Sequence, residues 1–356
     1  MVRHNDAMGA PGGVEGDAAP TADPPFGKRP GLKEVADAVG VSAQTVSNVL
    51  NGRSGFSDET RRRVLAAAEA LQFRPNRAAQ QLRSRRSRQL GTHIPETYLG
   101  YHNNFTLGFL KSLIHAAQEQ DHQLVVFTGP VDEASIREQM LRAGVDGFVL
   151  YNIDPADVRP RLLTEAGLPY AVFGRTETGQ SQAWVDIDNA AAMSGIVDHL
   201  LDRGYTRFGY VGYGEREYWN AERIEGVRTR LRAAGLELSE RWTILGTYEE
   251  VRATIFAQLE AEDRPEALIC ASDSLATLVC LACPQKGLVP GRDLAVTGFD
   301  GLADGLWLET SLTTVTLPME QVASRIVRMV IEQVEGRPAP DRGTMLQAQV
   351  RVGRSS

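Results

Sequence analysis

Two amide side chains, Gln44 and Asn48, stand four residues apart in a stretch whose apolar residues recur with the period of a helix. Residues at this spacing share one face of a helix. Each amide can form two hydrogen bonds with the N6 and N7 atoms of adenine, and Ala43 can offer an apolar contact to a thymine methyl group. These three residues are therefore the best candidates in the sequence for reading DNA base edges.

The elements that must position these residues are two short helices joined at a tight corner. The first is predicted by apolar residues at i, i+3, i+4 and i+7, namely Leu32, Val35, Ala36 and Val39. Gly40 can supply its left-handed C-terminal turn, and Ser42 can cap the second helix. In that helix we expect Val46, Val49 and Leu50 to face inward. The outward face would carry Ala43, Gln44, Ser47, Asn48 and Asn51.

A third helix is predicted from Ser57, which can act as its N-cap, with Thr60 at the last position of a Ser-x-x-Thr capping box. Its expected core face consists of Val64, Leu65, Ala68 and Leu71. Arg61, Arg62 and Arg63 lie near its start, where the helix dipole disfavours positive charge. That placement is easier to understand if DNA phosphates lie nearby.

Charge is unevenly distributed along the chain. The whole sequence has a net charge of −7, which by itself disfavours nucleic acid as a partner. Between Lys28 and Arg88, however, 13 Lys and Arg residues oppose 5 Asp and Glu residues, a balance of +8 that leaves −15 for the remainder. A basic segment attached to an acidic body is what a phosphate-binding module on a larger regulator would need.

The chain has 356 residues, of which 42% are hydrophobic, enough for two or three domains. It lacks an apolar run of the roughly 18 residues that a membrane span needs. Residues 1–27 have no apolar core typical of a secretory signal, and we interpret them as a disordered tail or a misassigned start. Because the only cysteines are Cys270, Cys280 and Cys283, we expect a cytoplasmic, reducing location and no membrane partner.

The basic segment resembles the headpiece of the lactose-repressor (LacI/GalR) family of bacterial transcription factors. The matching residues are Val35-Ala36, Gly40-Val41-Ser42, Thr45-Val46-Ser47, Val49-Leu50-Asn51, Ser57-x-x-Thr60-Arg61 and Pro75-Asn76-Arg77-Ala78-Ala79-Gln80-Gln81-Leu82. The resemblance implies a helix-turn-helix DNA-binding domain over 28–74 and a hinge helix with its linker over 75–88. A small three-helix bundle used for protein contacts is the alternative.

The resemblance also implies how the segment would contact DNA. In a helix-turn-helix the N-terminal residues of the second helix read base edges, while other polar residues bind phosphates and set the register. For Thr45 and Ser47, helix capping or packing is an open alternative. In the family the hinge helix folds on operator DNA, pairs with its twin and inserts a leucine into the minor groove, which Leu82 matches. The predicted DNA contacts are Leu32, Ser42, Ala43, Gln44, Thr45, Ser47, Asn48, Asn51, Asn76, Ala79, Gln80 and Leu82.

After Arg88 the sequence alternates apolar, strand-like runs with amphipathic helices. The candidate strands are 123–128, 145–151, 169–174, 207–212, 267–271 and 294–299, and the candidate helices are 105–120, 189–203, 220–234 and 317–335. This alternation predicts an α/β fold with doubly wound parallel sheets.

The family resemblance extends over this body and implies a two-lobed, periplasmic-binding-protein-like core. Its markers are Val185-x-x-Asp188-Asn189, His199-Leu200-x-x-x-Gly204-Tyr205, Arg223-x-x-Gly226, Ala271-Ser272-Asp273, Gly287-Leu-Val-Pro290, Val296-Thr-Gly-Phe299-Asp300 and Leu312-Thr-Thr-Val315. It implies an effector-binding and dimerisation domain over 89–356, with an N-lobe of about 89–187 and 317–345 and a C-lobe of about 188–316 and 346–356. The chain would cross between lobes near 186–189, 315–318 and 345.

The cleft between the lobes is expected to bind a small polar effector. Arg223 and Asp300 match effector-binding positions in the family, and a guanidinium with a carboxylate suits a hydroxyl-rich ligand. Trp219 precedes Arg223 by four residues, so its ring could stack on a sugar. For Phe105 and Tyr248, packing is an equal alternative, and Asp273 could instead cap the following helix. The predicted effector contacts are Phe105, Arg175, Trp219, Arg223, Tyr248, Ser272, Asp273 and Asp300.

The sequence gives little support for an enzyme. Cys280-x-x-Cys283 lacks a second cysteine pair and a His at ligand spacing, so we expect buried thiols in an apolar helix rather than a metal or redox site. No phosphate-binding loop or nucleophile elbow is present, and no cofactor or metal is expected.

The sequence therefore predicts an effector-controlled repressor that binds a pseudo-palindromic operator as a homodimer. The effector would be a sugar or glycoside, with a purine or other metabolite as the alternative. The competing hypotheses are a small-molecule-binding protein without operator binding and an enzyme on the same core.

Overall fold

The computed structural model describes residues 30–50, 52–73, 86–96, 104–154, 156–175, 183–214, 218–302, 311–337 and 343–356. The chain divides into two compact units, Met1–Ser84 and Arg85–Ser356, which we call the headpiece and the body. Several predictions lie outside the described residues: the tail over 1–27, the hinge helix, and the DNA contacts of Asn51, Asn76, Ala79, Gln80 and Leu82.

The headpiece contains the three helices that the apolar pattern predicts: α1 (Leu32–Val39), α2 (Ala43–Leu50) and α3 (Asp58–Ala70). Gly40 ends α1 with φ at +72°, a left-handed conformation that glycine adopts without strain. The Ser57 hydroxyl caps α3 by accepting the Thr60 N–H at 3.2 Å. The helices close over a small core of Val35, Ala36, Val39, Val46, Val49, Val64 and Ala68.

Two orientations in the headpiece were predicted wrongly. Ser47, expected on the outer face of α2, is only 8% exposed. Ser47 lies between the core residues Val46 and Val49 on a short helix that packs against α1 and α3. Its burial supports the packing alternative for this residue. Leu65, expected in the core of α3, is 48% exposed. A three-helix core this small is filled by Val64 and Ala68 and has no position left for the neighbouring leucine.

The first lobe of the body is built on a six-stranded parallel sheet. Its strands are β1 (Gln89–Pro95), β2 (Gln123–Gly129), β3 (Gly147–Leu150), β4 (Tyr170–Phe173), β5 (Ala183–Ile187) and β11 (Gly343–Leu346). They lie in the order β11-β5-β4-β3-β1-β2. The strand order reverses at β1, which has β2 on one side and β3 on the other, and α/β sheets bind ligands beside such a switch point.

The second lobe contains a four-stranded parallel sheet and a two-stranded antiparallel one. The strands are β6 (Phe208–Gly212), β7 (Leu238–Leu245), β8 (Ala267–Cys270), β9 (Ala295–Thr297), β10 (Thr314–Thr316) and β12 (Gln349–Arg351). The larger sheet has the order β7-β6-β8-β9, and β10 pairs with β12.

Eight helices described in the body alternate with these strands. They are α4 (Asn104–Glu119), α5 (Glu133–Gln139), α6 (Val158–Glu165), α7 (Asn189–Asp202), α8 (Tyr218–Ala233), α9 (Tyr248–Gln258), α10 (Asp273–Ala282) and α11 (Met319–Val334). A short 3₁₀ turn, Pro284–Lys286, follows α10. The predicted α/β fold is confirmed. None of the helices in the described ranges is both long and apolar enough to cross a membrane.

The chain passes between the two lobes three times. It leaves the first sheet after Ile187, returns between β10 and α11 at Leu317–Pro318, and leaves again between β11 and β12 at 347–348. The first two passages lie at the positions that the family resemblance implies. The third lies just beyond the predicted position near 345, because Met345 is paired within β11.

Gly226, a marker residue in the sequence, has a structural reason in the contact between α7 and α8. A Cβ atom at this position would lie 2.7 Å from the Cα atom of Ala190. The two helices can therefore approach closely only with glycine here. This contact fixes Arg223, one turn before Gly226, against the start of α7.

Candidate functional site

The amide pair predicted to read bases lies on the accessible side of α2. Gln44 and Ala43 are exposed, and Asn48 is half-buried. The Gln44 Nε2 atom donates a hydrogen bond to Asn48 Oδ1 at 3.1 Å. The structure thus brings the two predicted base readers together on one face.

Two other predicted DNA contacts have structural duties at the start of α2. The Ser42 hydroxyl accepts the Thr45 N–H at 3.0 Å, and its oxygen lies 2.9 Å from Thr45 Oγ1. The capping alternative for Thr45 is therefore supported. Leu32 is half-buried and packs against the headpiece core, so its side chain holds α1 in place.

The arginines at the start of α3 are used within the headpiece. Arg63 Nη2 donates to the Val39 carbonyl oxygen at 2.6 Å, and Arg61 Nη2 donates to the Arg53 carbonyl at 3.2 Å. Each guanidinium donates a hydrogen bond to a carbonyl oxygen that has no partner within a helix. This gives a structural reason for arginine at these positions that the sequence did not indicate. Arg62 is exposed.

In the body, Arg223 lies at the centre of the predicted effector set. Its guanidinium is 3.5 Å from the ring centre of Phe299 and 4.5 Å from that of Trp219. Trp219 and Arg223 share one face of α8, as their spacing predicts. Nη1 donates to the Ala271 carbonyl at 2.6 Å and lies 3.9 Å from Asp300 Oδ1. Burial lowers the pKa of Arg223, while Asp300 opposes that shift.

Asp300 is a buried carboxylate in an unusual backbone conformation. Its φ is +112°, a region that non-glycine residues rarely occupy and that often marks a functional site. Burial raises the pKa of Asp300 well above its ordinary value, and the Arg223 charge opposes this. The pair therefore places two ionisable groups 3.9 Å apart in a position largely removed from water.

Ser272 and Asp273 have roles that differ from the predicted ones. Ser272 caps α10 by accepting the Leu275 N–H at 3.3 Å, and it also lies 3.3 Å from the Tyr213 hydroxyl. Asp273 does not cap the helix. Its carboxylate accepts the Thr314 hydroxyl at 2.5 Å and the Leu302 N–H at 2.7 Å, which ties α10 to β10. The capping alternative for Asp273 is wrong because the preceding serine takes that position.

Phe105 and Tyr248 pack against the core of the body. The Phe105 ring stacks on Phe109 and Phe173, with ring centres 5.9 and 6.1 Å apart. Tyr248 is half-buried at the start of α9, and burial raises the pKa of its hydroxyl. The structure thus supports packing for both residues, the alternative that the sequence had left open.

Arg175 lies at the carboxyl end of the first sheet between two carboxylates. Its Nε donates to Asp186 Oδ2 at 2.7 Å, and Nη2 forms a short contact with Glu222 Oε1. Glu222 Oε2 in turn accepts the Asn189 amide N–H at 3.0 Å, and Asn189 Oδ1 accepts Arg223 Nε at 2.9 Å. Burial raises the pKa of Asp186, and the bond from Arg175 opposes that rise.

A cavity of about 360 Å³ opens beside this group. It is lined by Arg175, Asp188, Asn189, Ala190, Tyr218, Ala221, Glu222 and Glu225. Of the predicted effector contacts, only Arg175 lines it, while Arg223 lies behind Asn189. Glu222 and Glu225 were not among the predicted effector contacts. The sequence signal that could have indicated them is their spacing of three and six residues after Trp219 on α8.

The cysteines are buried thiols, as predicted. Cys270, Cys280 and Cys283 are free and buried, and burial raises the pKa of Cys280 to about 12 and that of Cys283 to about 11. Neutral, inaccessible thiols are poor nucleophiles and poor metal ligands. Within the ranges that the structure describes, no group of three His, Cys, Asp or Glu residues could hold a metal ion.

Comparison with known proteins divides the chain in the same way. Residues 31–76 match the family described as bacterial regulatory proteins, lacI family, and residues 197–356 match a periplasmic binding protein-like domain.

Two regulators and one solved structure illustrate the similarity over nearly the whole chain. The chain is 32% identical to the HTH-type transcriptional regulator reg1 of Streptomyces lividans over 87% of this chain and 91% of that protein. It is 29% identical to the HTH-type transcriptional regulator CelR of Thermobifida fusca over 87% and 93%. The structure of a CelR–cellobiose complex superposes with a TM-score of 0.69 at 27% identity, covering 92% of this chain and all of that one.

Proposed function

Because the chain belongs to the lacI family of bacterial regulatory proteins, we propose that it is a cytoplasmic repressor whose operator binding is controlled by a neutral, hydroxyl-rich effector. It is a DNA-binding transcriptional regulator rather than an enzyme. The observation that carries the proposal is the linked amide pair Gln44 and Asn48 on the accessible face of α2. Such a pair suits adenine in the major groove.

The contacts to DNA are part of the proposal. Ala43, Gln44 and Asn48 would contact base edges, and Ser42 and Arg62 would contact phosphates. Leu82 would enter the minor groove, where an apolar wedge kinks the duplex and allows further contacts. Ser47 and Leu32, by contrast, are assigned to packing within the headpiece.

The test of operator binding is a salt titration on the promoter region of the chain's own gene. We expect a sequence-specific complex whose affinity falls steeply as salt rises, because bound phosphates release counterions. A protein that shifts this DNA no better than random DNA at low salt would be a ligand-binding protein without operator recognition, and the repressor proposal would be lost.

A homodimer is proposed from the surface of α4. Leu107 and Ile114 are 68% and 38% exposed and lie seven residues apart, hence on one face of the helix, while Phe109 and Leu113 on the other face are buried. A dimer formed by a second copy covering this face would carry two headpieces, one for each half of a pseudo-palindromic operator.

The proposed effector class rests on the charge of the cavity. Its lining contains three carboxylates, from Asp188, Glu222 and Glu225, and one guanidinium, from Arg175. Arg175 is already engaged by Asp186 and Glu222. An anion entering here would meet net negative charge, whereas sugar hydroxyls can donate to carboxylates. The relative CelR has been solved with cellobiose, which agrees with this class.

Thermal shift assays with cellobiose, maltose, their 6-phosphates and a purine panel test the effector class. We expect a neutral sugar to raise Tm and its phosphate to leave Tm unchanged. A purine that stabilises the protein when no sugar does would favour the alternative effector. Regulation would be a population shift, driven by the difference in effector affinity between two lobe arrangements.

A further inference from the structure

Six polar side chains form an unbroken chain of contacts from the first lobe to the second. It starts at Asp186 in β5, passes through Arg175 after β4, and then enters α8 at Glu222. From Glu222 it continues through Asn189 at the start of α7 to Arg223, which lies 3.9 Å from Asp300 after β9. We call these six residues the relay.

Glu222 is the point where the two lobes meet in the relay. One of its carboxylate oxygens accepts from Arg175, which belongs to the first lobe, and the other accepts from Asn189, which belongs to the second. Asn189 uses its own oxygen to hold Arg223 Nε at 2.9 Å. The orientation of the buried guanidinium is therefore connected, through one carboxylate, to the end of β4.

We propose that Glu222 is a positioning residue that couples the Arg223–Asp300 pair to the first lobe. This inference rests on the proposed function, since it assigns to Glu222 the link between effector site and operator binding. Movement of one lobe against the other pulls Arg175 away from Glu222 and weakens the Asn189 amide that holds Arg223 Nε, while the bond from Arg223 Nη1 to the Ala271 carbonyl remains. Conversely, a ligand that engages Arg175 in the cavity weakens its contact with Glu222 and is thereby coupled to Arg223.

The chemistry of the contact makes Glu222→Gln an informative change. An ionised carboxylate offers acceptors on both oxygens, whereas a carboxamide offers one acceptor and two donors. In the variant one of the two N–H groups, from Arg175 or Asn189, would face another donor. The link between the lobes is broken while side-chain volume is nearly unchanged.

Glu165 in α6 provides a matched control outside the cavity. Its two carboxylate oxygens also accept from two donors, Arg161 Nη1 at 2.7 Å and Arg137 Nη2 at 3.3 Å, on an exposed part of the first lobe. Glu165→Gln removes the same charge and disturbs the same kind of contact without touching the relay or the cavity. A difference between the two variants therefore reports the relay and not the loss of a negative charge.

The experiment measures operator affinity of the effector-free, full-length protein well below its Tm, together with amide hydrogen exchange. Coupling energies between sites typically correspond to about 5-fold to 150-fold in affinity. We expect Glu222→Gln to bind operator at least about fivefold more weakly than Glu165→Gln, which should match the original protein. Exchange should accelerate both at 173–175 and at 187–191.

A purely structural role of Glu222 would lower Tm without changing operator affinity at low temperature, because the headpiece is a separate compact unit. Equal operator affinity for the two variants would overturn the proposal. If Glu222→Gln does not fold, Glu222→Asp serves instead, since it keeps the charge but is one methylene too short to span both partners. If even the original protein binds no operator, the proposed function fails, and unchanged exchange on either side of Glu222 would then separately overturn the relay.

Discussion

In α2, Gln44 Nε2 donates to Asn48 Oδ1 over 3.1 Å, so the two side chains proposed to read DNA hold each other in place before DNA is present. Gln44 keeps its oxygen and a second N–H for a base, and Asn48 keeps its amide N–H groups. Fixing these rotamers beforehand reduces the conformational entropy lost on binding.

Alanine at either position should weaken operator binding and relax base preference. A bidentate contact contributes about 1–3 kcal/mol of discrimination, so each single variant should lose roughly fivefold to 150-fold in specific affinity. Since the residues contact each other, the double variant should lose less than the sum of the two. Fluorescence anisotropy with operator and random DNA measures these losses, with Asp37→Ala on the exposed side of α1 as control. Unaltered specificity in both single variants would contradict the assignment.

Leu82→Ala should lower operator affinity by about tenfold or more, because the minor groove loses its apolar wedge and the bent duplex loses its support. Effector binding in the body should stay unchanged. Leu65→Ala is the matched control, since this headpiece leucine is 48% exposed outside the core. Operator titrations compare the affinities of the two variants. Identical binding curves would show that Leu82 does not contact the operator.

Arg223→Ala should destabilise the body by roughly 3–5 kcal/mol, because it leaves Asp300 buried without its cation. Adding Asp300→Asn should restore part of that loss, since the second change removes the uncompensated charge. Urea unfolding of the single and double variants measures both effects. If the double variant lost as much free energy of unfolding as the two single changes together, the interaction between Arg223 and Asp300 over 3.9 Å would contribute nothing to stability.

His93 should contribute a loss of stability as the pH falls from about 6.5 to 4, opposite in sign to the contributions of Asp186 and Asp300, whose pKa values burial raises. Burial and the Arg159 charge lower the pKa of His93 from 6.5 to about 4, so the unfolded chain binds the proton more readily in this window. The contribution of His93 to stability is therefore complete above the unfolded pKa and declines below it, by at most roughly 1.4 kcal/mol per pH unit. His199 shifts in the same direction. Urea unfolding across this range should show that the free energy of unfolding depends less steeply on pH in His93→Phe than in the original protein. An equal pH dependence in both proteins would exclude His93 as its source.

Asp146 should control the segment through which the body continues from the linker. Its two carboxylate oxygens accept the N–H groups of Ser87 and Arg88, both at 2.7 Å. Asp146→Ala should therefore speed amide exchange at these two residues. Glu335→Gln removes an exposed partner of Arg86 and should change little, because exposed ion pairs contribute about 0–1 kcal/mol. Equal protection of residues 87–88 in both variants would contradict this anchoring role.

The sequence predicted the elements that depend on local pattern. Helices α1, α2 and α3 follow from apolar spacing, from Gly40 and from the hydroxyl caps, all of which act within a few residues. Six strands of the body were likewise visible as apolar runs. By contrast, the other six described strands were missed: β1, β5, β7, β10, β11 and β12. Buried polar residues, Thr92 in β1 and Asp186 in β5, interrupt the apolar pattern of two of them, and the other four are short or partly exposed. Pairing with neighbouring strands defines these six.

Sequence alone therefore determined the family and the fold class and placed Gln44 and Asn48 on one face of a helix, since these depend on residue types at fixed short spacings. Tertiary structure decided the orientation of Ser47 and Leu65, the capping of α10 by Ser272 in place of Asp273, and the relay. Glu222 and Arg175 are 47 residues apart in the chain. No local pattern encodes their contact, which exists only because the ends of β4 and α8 are folded against each other.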